Sequence, residues 1–122
     1  MQIVMEDIYD LYPYLDCGAA ALSLAVKDGS SEGVHADVSD YLAAYAWIVP
    51  LGRFKGANLK VGQLDQVIGL EPGDALALAA RLLAHASTPL LGHCVVFTCF
   101  LENTLACGAR EFWRILRFTT MI

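Results

Sequence analysis

Gly92-His93-Cys94-Val95-Val96-Phe97-Thr98-Cys99-Phe100 decides the fold class of this chain. The run is β-branched, aromatic and mostly apolar, the composition of a buried strand. Downstream of it the chain reads as a meander. Glu102-Asn103 is a turn, Thr104 to Cys107 a returning strand, Gly108-Ala109-Arg110 a second turn, and Glu111 to Phe118 a third strand. Upstream of it the chain reads as helix and loop. The expected architecture is therefore α+β: N-terminal helices packed on a small C-terminal antiparallel sheet. At 122 residues the chain has room for a single domain, 1–122, with one sizeable core.

Toward the N-terminus, Pro89 stops a segment, Ala75 to His85, in which Ala, Leu and Arg dominate. Propensity predicts a helix there, with His85 as a favourable cation at its C-terminus. Gly69 to Asp74 is punctuation, and Val61 to Ile68 is a short helix or turn. Arg53, Lys55 and Lys60 lie among Gly52, Gly56 and Asn58 in a mildly basic segment. It lacks the Gly-Lys-Ser/Thr ending of a phosphate loop and reads as a solvated loop. Val38 to Trp47 has helical spacing of apolar residues, with Asp37 or Ser39 as cap. Asp28 to Gly33 is loop chemistry, and His35 just after it reads as a solvated loop residue. Ile3 to Leu11 is a further amphipathic helix ended by Pro13, and Ala19 to Val26 another, stopped by Gly29.

Composition excludes several function classes. The chain is 57% hydrophobic, too apolar for disorder, and the surplus suits a homo-oligomer or an assembly partner. A formal charge of −5 with no basic stripe argues against nucleic acid. No apolar run spans a bilayer, since Ala75 to Leu91 is broken by Arg81, His85 and Pro89. The start lacks a basic n-region, so no signal peptide is expected and the chain is placed in the cytoplasm at synthesis. Cys17, Cys94, Cys99 and Cys107 form no C-x-x-C pair, and the adjacent His93 and Cys94 suit one tetrahedral site poorly. Four free thiols, no metal and no cofactor are expected.

The chemistry concentrates on Asp16-Cys17-Gly18-Ala19-Ala20-Ala21-Leu22. Asp16 can cap a helix whose first turn carries Cys17, where the positive end of the helix dipole favours thiolate. A cysteine in an Ala-rich helix also serves as core filler. The candidate partner is His93, at the head of the late strand. A cysteine hydrolase needs this pairing: a thiolate at a helix N-terminus, backbone amides for the oxyanion, and an imidazole to carry the proton. Tyr14, beside the thiol, is the candidate substrate contact.

Three segments carry a resemblance. Asp16-Cys17-Gly18 with its hydrophobic helix resembles the nucleophile motif of the NlpC/P60 and CHAP-type cysteine peptidases. Leu70-Glu71-Pro72-Gly73-Asp74-Ala75-Leu76 is similar to their Pro-Gly-Asp segment, and Gly92-His93-Cys94-Val95-Val96-Phe97 to their Gly-His strand. The resemblance implies a papain-like fold, Cys17 as nucleophile, His93 as general base and acid, and amide bonds of peptidoglycan stem peptides as substrate. It also implies delivery to the cell wall as a phage or effector component. The residue orienting the histidine is drawn from Glu102, Asn103, Thr104 or Glu111. Asp-Cys-Gly-x-Ala-x-Leu also resembles the C39-like leader peptidases, in which a helix precedes the Gly-His strand, although their oxyanion glutamine is absent here. A non-catalytic binding or assembly module on the same fold, and an apolar helical subunit with cysteines as filler, are the rival readings.

Overall fold

A computed structural model describes residues 23–29 and 32–120 of the chain. Seven strands and one helix follow in order: β1 (Ser23–Asp28), β2 (Ala46–Gly56), β3 (Leu59–Val61), β4 (Gln66–Ile68), β5 (Leu76–Leu78), β6 (His85–Ser87), β7 (Leu90–Phe100) and α1 (Asn103–Thr120). One sheet has the order β1-β7-β2-β5 and the other β4-β3-β6. All pairings are antiparallel. A bridge between His35 and His85 adds one more extended segment beside β6. Eight extended segments are thus shared four to each sheet, β1 and β7 side by side in one, His35 and β6 side by side in the other, with β3 and β4 a hairpin within the second. That is the strand order of a jelly roll.

This overturns the expected papain-like α+β arrangement. Among the described residues there is one helix, and it follows the strands instead of preceding them. The long apolar run is a strand as expected: β7 pairs with β2 from Trp47↔Cys99 to Gly56↔Leu90 and with β1 from Ser23↔Phe100 to Asp28↔Val95. The helices expected to precede it are strands and turns wherever they are described. Ser23 to Val26 belongs to β1. The 38–47 segment is a series of turns entering β2. The 61–68 segment is β3 and β4 joined by a 3-10 turn, ending with Asp65 in the left-handed region (φ 48°). The Ala-rich 75–85 segment holds β5 and the first residue of β6. Leu78 is buried at the end of β5, and Ala80 is buried in the turn that follows it. Burial between sheets outweighs a helix preference of a few tenths of a kcal/mol per residue. The strands expected at 104–107 and 111–118 are α1, whose surface carries a bidentate Arg114–Glu111 pair at i,i+3. The expected 3–11 helix, Tyr14 and Cys17 lie outside the described residues.

The core lies between the sheets. Ala46 from β2, Leu59 and Val61 from β3, Leu78 from β5 and Ala80 are buried, with Ile48, Ile68 and Phe100 packed on them. Leu59, Val61 and Leu78 so buried contribute about 1.5–3 kcal/mol each. The even-numbered residues of β2 and β7 face inward, as buried Ala46, Pro50 and Cys94 mark. The opposite face of that sheet exposes Leu24, Val26, Trp47 and Leu51. Along the β2–β7 ladder the two backbones approach so closely in places that only glycine fits. Gly92 has φ +104°, and a Cβ there would collide with the carbonyl oxygen of Arg53. No helix among the described residues is long and apolar enough to cross a membrane.

Candidate metal centre

His35, Asp37 and His85 converge at the edge of the smaller sheet, each offering one ligand atom within 4.8 Å of the others. The local backbone explains why. His35 N–H donates to the carbonyl of His85 at 3.0 Å, and His85 N–H donates back at 2.9 Å. This closed pair sets the two imidazoles side by side, ring centroids 4.4 Å apart. Asp37 is two residues beyond His35 on the same extended segment, so its side chain returns to the same side. Its own N–H is tied to the carbonyl of Ala80 at 2.9 Å.

The tautomers follow from the partners. Nδ1 of His35 lies 2.8 Å from the carbonyl of Gly33, and Nδ1 of His85 lies 2.8 Å from the carbonyl of Leu83. A carbonyl oxygen only accepts, so each Nδ1 carries its hydrogen and donates it. Each Nε2 is then directed away from the backbone. Nε2 of His35 lies 3.5 Å from Asp37 Oδ1, and Nε2 of His85 lies 4.0 Å from Asp37 Oδ2. The His85 side chain is 6% exposed, against 37% for His35 and 33% for Asp37. One face of the cluster is thus set into the fold and the other opens to solvent. Imidazoles locked by an Nδ1–H bond to a carbonyl, with Nε2 free, are the form in which histidine binds a metal ion.

The surroundings are acidic. Nε2 of His35 is also 3.5 Å from Glu32 Oε2. The other oxygen of Glu32 pairs with Lys27, and that hydrogen bond holds the Glu32 carboxyl below its ordinary range. The backbone of Glu32 is fixed on both sides by Ser87: its N–H donates to Ser87 Oγ at 2.6 Å, and its carbonyl accepts from Ser87 N–H at 3.1 Å. Asp40, three residues past Asp37, is 7% exposed. Its carboxyl is pushed up to about 6, by burial first and then by the charges of Asp37 and Glu102, with Arg81 and His85 opposing.

The residues singled out in the sequence are placed elsewhere. His93 stands on the outward side of β7 opposite Arg53, with its side chain 74% exposed and Nε2 3.4 Å from Asp28 Oδ1. Glu102, Asn103, Thr104 and Glu111 lie beyond the far end of β7. A strand rises about 3.3 Å per residue, so Glu102, Asn103 and Thr104 are on the order of 20 Å or more from His93. Asn103 accepts from the Cys107 thiol, and Glu111 is taken by Arg114. Asp28, not among the sequence candidates, is the carboxylate beside His93. Cys94 is buried, and burial raises its thiol, which leaves it a packing group. The metal cluster itself was open to a sequence signal: in an extended segment, His-x-Asp puts both ligands on one side. Reading 75–85 as a helix hid their third partner. No family model and no curated protein matches the chain.

The cluster fits a metal ion by its donor set and its separations. Ligand atoms bonded at about 2.0–2.2 Å stand roughly 3.0–3.5 Å apart around one ion. The separations to Asp37, 3.5 and 4.0 Å, are within reach of that with small side-chain rotations. Two imidazoles and one carboxylate, without thiolate, are the donors of a facial triad, in which the remaining positions stay open.

Proposed function

We propose that this domain is a non-haem iron(II) oxygenase centre, with His35, Asp37 and His85 as the protein ligands. The observation that carries the reading is the orientation of the two histidines: both Nδ1–H groups are bound to carbonyls, and both Nε2 atoms turn toward one carboxylate. Two histidines and one carboxylate with open positions suit iron(II) that binds substrate and dioxygen side by side. Bound there, iron(II) would supply oxygen activation. With a 2-oxo acid as co-reactant the electrons balance: R–H, O2 and the oxo acid give R–OH, CO2 and a carboxylic acid one carbon shorter. The chain's own part is to hold the ion by one face. His85 anchors it from the interior, and Asp37 offsets one positive charge and is kept on the His35 side by the Ala80 carbonyl.

The test is anaerobic titration with iron(II), then oxygen uptake with 2-oxoglutarate as the oxo-acid probe. One equivalent of iron and oxo-acid-dependent uptake are expected in the parent, and neither in His35→Ala or His85→Ala. Exclusive zinc binding without oxygen uptake would refute the oxygenase assignment, and loss of no metal in either variant would refute the site.

A second reading is supported by Asp28. A cysteine hydrolase using Cys17 and His93 needs a group to orient the imidazole, and the Asp28 carboxylate stands 3.4 Å from His93 Nε2. In this reading, built on the motif resemblance and not on a papain-like fold, the substrate is an amide such as a peptidoglycan stem peptide. Cys17→Ala, His93→Ala and Asp28→Asn would each abolish or sharply reduce muropeptide cleavage. Equal cleavage by all three would end it.

A further inference from the structure

We infer that Glu32 is a fourth, exchangeable ligand of the ion at His35, Asp37 and His85, and that Lys27 is the cation that draws it off. The inference rests on the metal reading of that cluster. Glu32 Oε2 stands 3.5 Å from His35 Nε2, as far as Asp37 Oδ1 does. His35 Nε2 therefore has a carboxylate oxygen from each of two residues at the spacing of neighbouring ligands around one ion. Glu32 is placed there by its backbone, which Ser87 at the end of β6 holds through both its N–H and its carbonyl. Its oxygen stands outside the 4.8 Å convergence of the other three ligand atoms, so a rotation of the side chain, on a main chain that stays fixed, is what would bring it to the ion.

Lys27 opposes this. It projects from β1, and its ammonium holds Glu32 Oε1. One carboxylate is thus shared between a neighbouring ammonium and an incoming dication. With Glu32 on the ion, four protein donors leave two positions of an octahedron free. With Glu32 on Lys27, three donors leave three. A chelating anionic ligand at the ion, which needs two positions beside the one for dioxygen, displaces Glu32 to the waiting ammonium. Lys27 in this way sets how readily the third position opens.

Cobalt(II) is the probe, followed by calorimetric titration and by its visible ligand-field bands in the intact chain. Glu32→Gln is expected to weaken cobalt binding by about 10- to 100-fold and to change the band intensity that reports coordination number. Glu32→Asp should recover part of the affinity. Lys27→Met removes a surface pair worth up to about 1 kcal/mol, so cobalt should bind up to about fivefold tighter. In the double variant the Lys27→Met gain should shrink, because the lysine acts through Glu32. Glu32→Gln binding cobalt like the parent, with unchanged bands, would overturn the inference while leaving the three-residue site standing. An equal gain from Lys27→Met in both backgrounds would do the same, since that is plain charge repulsion. No cobalt binding by the parent, or binding that survives His85→Ala, would remove the metal reading and this inference with it. Circular dichroism of each variant checks that the strands are retained.

Discussion

Replacing Asp37 by Asn separates a metal ligand from a structural residue. The substitution keeps the shape of the side chain, leaves the backbone bond to Ala80 in place, and removes the negative charge between the two Nε2 atoms. Asp37 is one-third exposed and its carboxylate is not tied to either imidazole by a short hydrogen bond. The metal-free protein should therefore keep its stability to within about 0.5 kcal/mol. The loaded protein should not. An ion present at a hundred times its dissociation constant stabilises the native state by about 2.7 kcal/mol. A chain of 122 residues unfolds with an entropy near 2.1 cal/mol/K per residue, about 0.26 kcal/mol/K in all, so the midpoint should rise by about 10 °C. In Asp37→Asn the same metal concentration falls below the weakened dissociation constant, and the rise should collapse to a degree or two. Scanning calorimetry of both proteins, metal-free and with cobalt(II), reads all four midpoints. Equal shifts in parent and variant would mean that the ion binds elsewhere, and the convergence of His35, Asp37 and His85 would be an ordinary polar cluster.

Leu78→Ala, in the core between the sheets, should cost about 2–5 kcal/mol in denaturant unfolding; a cost below about 1 kcal/mol would place Leu78 outside the core. Gly92→Ala forces an alanine into positive φ and its Cβ onto the Arg53 carbonyl, and should destabilise by about 1–3 kcal/mol or more; a neutral result would refute the close approach of the β2 and β7 backbones there. Asp40 holds a proton in the native state up to about pH 6 that the unfolded chain has released near its ordinary value of 3.8. Its contribution to stability therefore falls as pH rises through that window. Asp40→Asn should raise the unfolding free energy at pH 7.5 by on the order of 1 kcal/mol once solvent screening is allowed for, and have little effect at pH 4. A gain that persists at pH 4 would point to something other than ionisation.

The strand at Leu90–Phe100 was legible because its β-branched and aromatic residues leave no helical alternative. The rest of the sheet was not, for one recurring reason. Short strands rich in Ala and Leu, such as Leu76–Leu78, carry helix propensity, and only their pairing partners far along the chain decide otherwise. The same blindness covered the site. His35 and Asp37 form a visible pair in the sequence, but His85 joins them through a backbone bridge across fifty positions that no local pattern announces. His93 drew attention because a glycine precedes it, and that glycine serves the close pairing of two strands.

The paired backbones of His35 and His85 also bear on the order of assembly. One belongs to the stretch between the first two strands and the other to the sixth, so the cluster exists only after nearly the whole sheet has been threaded. Such a long closure is slow to reach by chance. A captured ion would then act as a late clasp, adding little to the rate at which the strands find one another and much to the time they stay together.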